Sequence, residues 1–108
     1  MAEQIAIVIT TLGDEGAAHS LSRRLIEDRL AACVQVLPIR SVYRWQGQIE
    51  QACEWRLEAK TTTGLASRLA DCIGANHPYD VPEVLTIGCL AEDSYADWVA
   101  SECRGDQA

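Results

Sequence analysis

An α+β fold is predicted by the order of three kinds of signal along this chain. A short apolar run, Ile5 to Leu12, precedes a helical periodicity from Ala17 to Ala31. A long β-rich stretch, Cys33 to Ala59, carries a turn signal at Gln46-Gly47-Gln48. A second helical periodicity, a second apolar run from Val84 to Leu90 and a last helical segment complete the order. The elements therefore run β-α-β-β-α-β plus a C-terminal helix, the ferredoxin-like split β-α-β arrangement of an antiparallel sheet with two helices on one face.

Each element has its own signature. Ile5 to Leu12 (I-A-I-V-I-T-T-L) has the composition of a strand buried on both faces. Gly13-Asp14-Glu15-Gly16 interrupts it, and acids there suit the positive N-terminal end of a helix. In that helix Ala18, Leu21 and Leu25 form one ridge, with Ile26 and Leu30 beside it. Arg23/Glu27 and Arg24/Asp28 are i,i+4 pairs on its outer face, worth roughly 0.2–0.5 kcal/mol each, which marks a solvated surface rather than a basic site.

Pro38 costs a ladder hydrogen bond, so it marks an edge, a bulge or a bend in the following strand. After the turn, Ile49, Cys53, Trp55, Leu57 and Ala59 share one parity, and Glu50, Glu54, Arg56, Glu58 and Lys60 the other. That is a long hairpin with one charged, solvated side. Strands of this length reach beyond so small a domain, and an isolated ribbon is marginal in water, so a second copy of the chain is expected to pack on it. Thr61-Thr62-Thr63 offers N-caps for a helix built on Leu65, Leu69, Cys72 and Ile73, with Gly74 as its stop. Val84 to Leu90 reads as another buried strand. Ser94-x-x-Asp97 reads as a capping box for a final helix burying Tyr95, Trp98 and Val99. One domain over 1–104 and a polar tail over 105–108 are expected.

Composition narrows the function. The 108 residues suffice for a core without disulfides or metal staples. A net charge of −7 and a pI near 4.6 argue against nucleic acid or an anionic membrane as partner. The first residues show no basic segment leading into an apolar signal core, and no apolar run is long enough to span a membrane. Five cysteines without a C-x-x-C pair suggest reduced thiols and a cytoplasmic protein. Cys33, Cys53, Cys72 and Cys89 lie in apolar stretches that suit small buried hydrophobes. By motif and by position, Cys33 and Cys103 are the thiols to examine for reactivity. His19 reads as a surface residue.

Catalytic signatures are missing. The chain has no nucleophile elbow, no H-E-x-x-H, no P-loop and no dinucleotide glycine fingerprint. Acidic residues after the first strand would repel the phosphate that an acylphosphatase-type loop must cradle, and the aromatics of an RNA-binding sheet are absent. The chain reads as non-enzymatic. Its densest polar segment is His77-Pro78-Tyr79-Asp80-Val81-Pro82-Glu83, which holds two of the three prolines. Each proline stiffens its own backbone and holds the preceding residue extended, so the segment reads as a platform that presents side chains.

These residues resemble one family. The run Leu30-Ala31-Ala32-Cys33-Val34, then Pro38-Ile39, Ser41, Tyr43, Trp45, Gly47 and Ile49-Glu50, is similar to the CutA family of divalent-cation tolerance proteins. So are Glu54, Lys60-Thr61, the segment from His77 to Glu83, and Tyr95-x-x-Trp98, in order and over nearly the whole chain. The resemblance implies a ferredoxin-like subunit in a tight homotrimer with hairpins crossing between subunits, akin in architecture to the trimeric PII signalling proteins. It implies a role in copper and divalent-metal tolerance, with no established reaction.

For metal, the family's positions are a Cys ending the first strand and adjacent His residues before the Pro-Tyr turn. They fall here on Thr10 and on Asn76-His77, leaving His77 as the surviving ligand, with Cys33 as a candidate thiolate. Tight divalent-metal binding needs three or four ligands. No cofactor is required on this reading, and Cu²⁺ or another divalent metal is the candidate ion. For a small ligand, Cys33, Tyr43, Trp45, Glu54, Lys60, His77, Tyr79 and Glu83 combine aromatic walls with charges of both signs. Hairpin and Pro turn would form an inter-subunit cleft for a small polar metabolite or anion, coupled to a signalling partner. The competing reading makes Trp45, Trp55 and Trp98 interface core in a purely structural trimer.

Overall fold

The apolar run from Ile5 to Leu12 takes a central place in the sheet. In the computed structural model, which describes residues 2–104, the elements are β1 (Ala2–Leu12), α1 (Glu15–Glu27), β2 (Cys33–Trp45), β3 (Gln48–Thr61), α2 (Ala66–Ala75), β4 (Val84–Glu92) and α3 (Asp93–Glu102). The sheet order is β2-β3-β1-β4 and every neighbouring pair is antiparallel. This is the predicted ferredoxin-like arrangement with its extra helix. The expected tail at 105–108 lies outside the described residues.

Register decides which residues face which layer. Ala6, Val8, Thr10 and Leu12 on β1 pair across to Thr61, Ala59, Leu57 and Trp55 on β3. Together with Leu21 and Leu25 of α1 and Leu69 and Ile73 of α2, this side forms the main core. The alternate residues of β1 face the other way. There Ile5 packs with Ala96, Val99 and Cys103, so α3 covers part of the opposite face. Farther along that face Ile7 pairs with Ile87 and Ile9 with Leu85; Ile9 is buried, whereas the two β4 side chains stand at the sheet edge outside the buried cluster. Ile87 and Leu85 are consequently 46% and 48% exposed in the single chain.

β1 ends against β3 at Leu12↔Trp55, whereas the β2–β3 ladder continues out to Trp45↔Gln48. The outer seven rungs of the hairpin therefore project roughly 20 Å past the three-stranded part, and the chain's longest dimension is 46 Å. Gln46 (φ 51°) and Gly47 (φ 80°) form a two-residue turn with both centres in the left-handed region, the geometry that matches strand twist. Pro38 is accommodated because β2 is an edge strand.

Several local expectations are corrected. α1 begins at Glu15, where the Asp14 carboxylate accepts the Ala17 N–H at 2.8 Å, and it ends at Glu27, with Arg29 just beyond at φ 55°. α2 begins after the threonines: Thr62 Oγ1 accepts from Leu65 N in the preceding turn, and the helix passes Gly74 to end at Ala75. The Ser94/Asp97 capping box does not form, because α3 has already begun at Asp93 with Glu92 at the cap position. α3 buries Val99, while Tyr95 and Trp98 are left exposed on its outer side. β4 is not a buried strand, since it lies at the sheet edge with Leu85 and Ile87 exposed on one face and Thr86 and Leu90 on the other. Among the thiols, Cys103 is buried and Cys53 exposed, the reverse of expectation, because the Cys103 backbone N–H closes α3 on Val99 and Arg104 N bonds the Arg29 carbonyl. Burial pushes the Cys103 thiol pKa up, against reactivity.

Thr10 is fully buried on the core side and its Oγ1 has no hydrogen-bond partner. An unpaired buried hydroxyl costs about 1–3 kcal/mol. Thr10→Val keeps the shape and removes that cost, so urea denaturation is expected to show a gain of about 1 kcal/mol.

Candidate functional site

The loop over 76–83 crosses the end of β1 on its way from α2 to β4, and two side chains pin it there. His77 Nε2 lies 2.7 Å from the Thr11 carbonyl, and Nδ1 accepts the Tyr79 backbone N–H at 3.1 Å. An acceptor role at Nδ1 places the ring proton on Nε2, which donates to Thr11. The Tyr79 ring meets His77 edge-on, with centroids 4.8 Å apart, and its hydroxyl donates to Glu54 Oε2 at 3.0 Å. A Cβ on Gly13 would stand 2.9 Å from the Tyr79 hydroxyl, so glycine there lets the ring reach across.

Glu54 was expected on the hairpin's solvated side; it is 8% exposed because Tyr79 comes over it. Burial, and then the bond to Glu54, push the Tyr79 phenol up to about 12 from its ordinary value near 10. The folded state favours the neutral phenol, so this contribution is complete below pH about 10 and is lost as pH rises to about 12. Glu54→Gln is expected to move one phenol to a lower titration midpoint in the ultraviolet phenolate spectrum. An unchanged curve would remove Glu54 as a cause.

The clasp walls a cavity of about 580 Å³ between the turn and the root of the hairpin. From β2 and β3 come Tyr43, Trp45 and Glu54, which share one face by the register Ile39↔Glu54, Tyr43↔Glu50 and Trp45↔Gln48. From the turn come Tyr79, Asp80 and Glu83. The lining holds aromatic rings and carboxylates and no Lys, Arg or His.

The expected ligand set thus divides. Tyr43, Trp45, Glu54, Tyr79 and Glu83 are brought together, and His77 supports the wall without lining it. Lys60 and Cys33 pair with each other at the far end of the hairpin, six residues along β3 from Glu54 and about 20 Å away. Lys60 Nζ donates to Gln35 there. Asp80 and Ser41 also line the cavity and were not anticipated. Asp80 follows Tyr79 directly, and Ser41 shares the alternation of Tyr43 and Trp45; those were the available signals.

The metal positions do not converge. Thr10 faces the core, and Asn76 is engaged by Arg24 Nη1 at 2.8 Å and by the Cys72 carbonyl at 2.7 Å. Both His77 nitrogens are committed. Among the described residues no group of three or more His, Cys, Asp or Glu is arranged to hold a metal ion. Within one chain these residues do not fit a divalent-metal centre.

Fold and site together define a ferredoxin-like α+β protein with a protruding hairpin clasped at its root. The chain belongs to the CutA1 divalent ion tolerance protein family, whose model matches residues 6–102. It is 40% identical over 96 residues to the divalent-cation tolerance protein CutA of Thermus thermophilus, covering 86% of this chain and 92% of the relative. The structure of CutA from Synechococcus elongatus superposes with a TM-score of 0.92 at 33% identity, covering 96% of this chain and 95% of that one. A CutA from Archaeoglobus fulgidus, described as periplasmic, matches with a TM-score of 0.87 at 29% identity, covering 93% and 98%.

Proposed function

We propose that this chain serves divalent-cation tolerance as a non-enzymatic, cytoplasmic homotrimer that captures a small ligand between Pro turn and hairpin and signals its presence to a partner. The observation that carries this reading is the clasp: His77 on Thr11 and Tyr79 on Glu54 hold a stiff turn against the hairpin root and wall a cavity of small-molecule size. A mere connector would not need that fixation.

Assembly is supported by the exposed apolar side chains Leu85 and Ile87 on β4 and by the projecting hairpin, both of which a second copy would bury. The family resemblance implies that the copies number three. Direct copper binding by His77 is the less favoured reading, since a metal would have to displace one of its two hydrogen bonds. A metal site built from several copies, or an indirect effect on tolerance, accords better with these contacts. A screen of metabolites, nucleotides and metal salts by thermal shift tests the proposal. A ligand that raises Tm for the native chain and not for Trp45→Ala supports it; silence across the panel favours a purely structural trimer.

A further inference from the structure

We infer that a second copy of the chain completes the cavity: the helix-side face of its projecting hairpin seats on the aromatic and acidic wall, where its Arg40 and Arg44 meet Glu54, Asp80 and Glu83. This rests on the assembly in the capture reading and names what the neighbour brings to the site.

The projecting hairpin has two unlike faces. Strand alternation and the register Arg40↔Cys53, Val42↔Gln51 and Arg44↔Ile49 place these six residues on one side, continuous with Val36 and Leu57 of the main core. That side carries two arginines and no carboxylate, and Val42 alone of the six also borders the cavity. The other side carries Tyr43, Trp45, Glu50 and Glu54 and no base. Asp80 and Glu83 join it from the turn.

Neither face is finished in one chain. Val42 and Ile49 are each 68% exposed on the first, and Tyr43 and Trp45 are nearly half exposed on the second. Arg40 and Arg44 are exposed and have no hydrogen bond or ion pair among the described residues. These exposures belong to the isolated chain. A two-stranded ribbon is marginal alone in water, so they mark what an assembly has to bury.

Charge decides which surface does the covering. Like faces laid together would set arginines against arginines, or carboxylates against carboxylates. The first face of one copy on the second face of the next instead pairs guanidinium with carboxylate and apolar tip with aromatic wall. Glu54 is 8% exposed and its hydrogen-bond partner is the neutral Tyr79 hydroxyl, so a guanidinium supplies the ionic partner that the phenol does not. The two faces point in opposite directions, and one neighbouring ribbon cannot lie on both. The contact is therefore head-to-tail, and each copy gives arginines to one neighbour and receives them from another. A ring of three, as the family resemblance implies, is one such closure.

Exchanging the charges in the whole chain tests the inference, with assembly mass followed against concentration by sedimentation. Arg40→Glu/Arg44→Glu is expected to weaken assembly by about tenfold or more, and Asp80→Arg/Glu83→Arg to do the same. All four exchanges in one chain are expected to restore it to within about threefold of native. The arginines lie on the far side of the ribbon from Asp80 and Glu83, so restoration cannot arise inside one chain. As a control, Glu27→Arg/Asp71→Arg on the exposed helix surface returns the same net charge to the arginine exchange and is expected to restore nothing. All six positions are exposed, and native circular dichroism would confirm folding. Should an exchange unfold the chain, Arg40→Gln/Arg44→Gln and Asp80→Asn/Glu83→Gln, alone and combined, give the same reading: non-additive losses support the contact and additive losses overturn it. Assembly that ignores either exchange, stays weak in the quadruple variant or recovers equally in the control would overturn the inference. Ligand capture is read separately in the thermal-shift screen. A ligand found there, with assembly indifferent to the exchanges, removes the arginine contact and leaves capture standing; a silent screen with assembly restored in the quadruple variant does the reverse.

Discussion

Replacing Leu85 and Ile87 together by aspartate is expected to release folded single subunits from the proposed assembly. The two side chains lie on the uncovered face of β4, in register with Ile9 and Ile7, and about half of each is exposed in the isolated chain. Neither belongs to the two buried clusters, so the substitution leaves the subunit core untouched. In an assembly that covers this stripe, each aspartate would be an unpaired charge in an apolar interface, at a penalty of several kcal/mol. Two in each copy multiply that penalty across the assembly. Light scattering should report single chains of 11.8 kDa with native circular dichroism. An unchanged assembly mass would place the interface elsewhere.

His77→Ala is expected to loosen the Pro turn without changing copper affinity. The imidazole donates to the Thr11 carbonyl and accepts the Tyr79 N–H, so alanine removes both bonds. At about 0.5–1.5 kcal/mol for each, stability should fall by about 1–3 kcal/mol. The loss is confined to the turn, because the main core lies on the other side of β1 from the Thr11 side chain. Hydrogen exchange at Tyr79 should speed up, and ligand affinity should drop as the cavity wall becomes mobile. Cu²⁺ titration of both proteins gives the opposing test: a tenfold or greater loss of copper affinity in the variant would make His77 a ligand after all.

The order of elements was legible because periodicity is a local property. Ile5 to Leu12, the ridge of Ala18, Leu21 and Leu25, and the turn at Gln46-Gly47 each carry their own evidence. Glu54 was misplaced for an instructive reason. Alternation assigns it to one side of β3, but what covers that side arrives from residue 79, and the intervening sequence does not announce the crossing. Lys60 and Cys33 entered the site set through motif resemblance, which ranks residues without regard to register. The pairing Cys33↔Lys60 then puts them at the opposite end of the hairpin from Trp45↔Gln48. Helix boundaries slipped where several caps competed: Thr62 does bond Leu65, one turn too early to begin α2. The Pro turn could be singled out from sequence, since proline stiffness needs no tertiary context.

The central claim is that several copies of this chain together capture a small ligand at clasped cavities. Native mass spectrometry of the chain with a compound that raises its Tm in the thermal-shift screen tests it most directly, because one spectrum counts both chains and ligands. The account predicts particles of three chains of 11.8 kDa that take up to three ligands, and that take none when Trp45 is alanine. Single chains, or trimers that load the compound equally in native and Trp45→Ala forms, would contradict it.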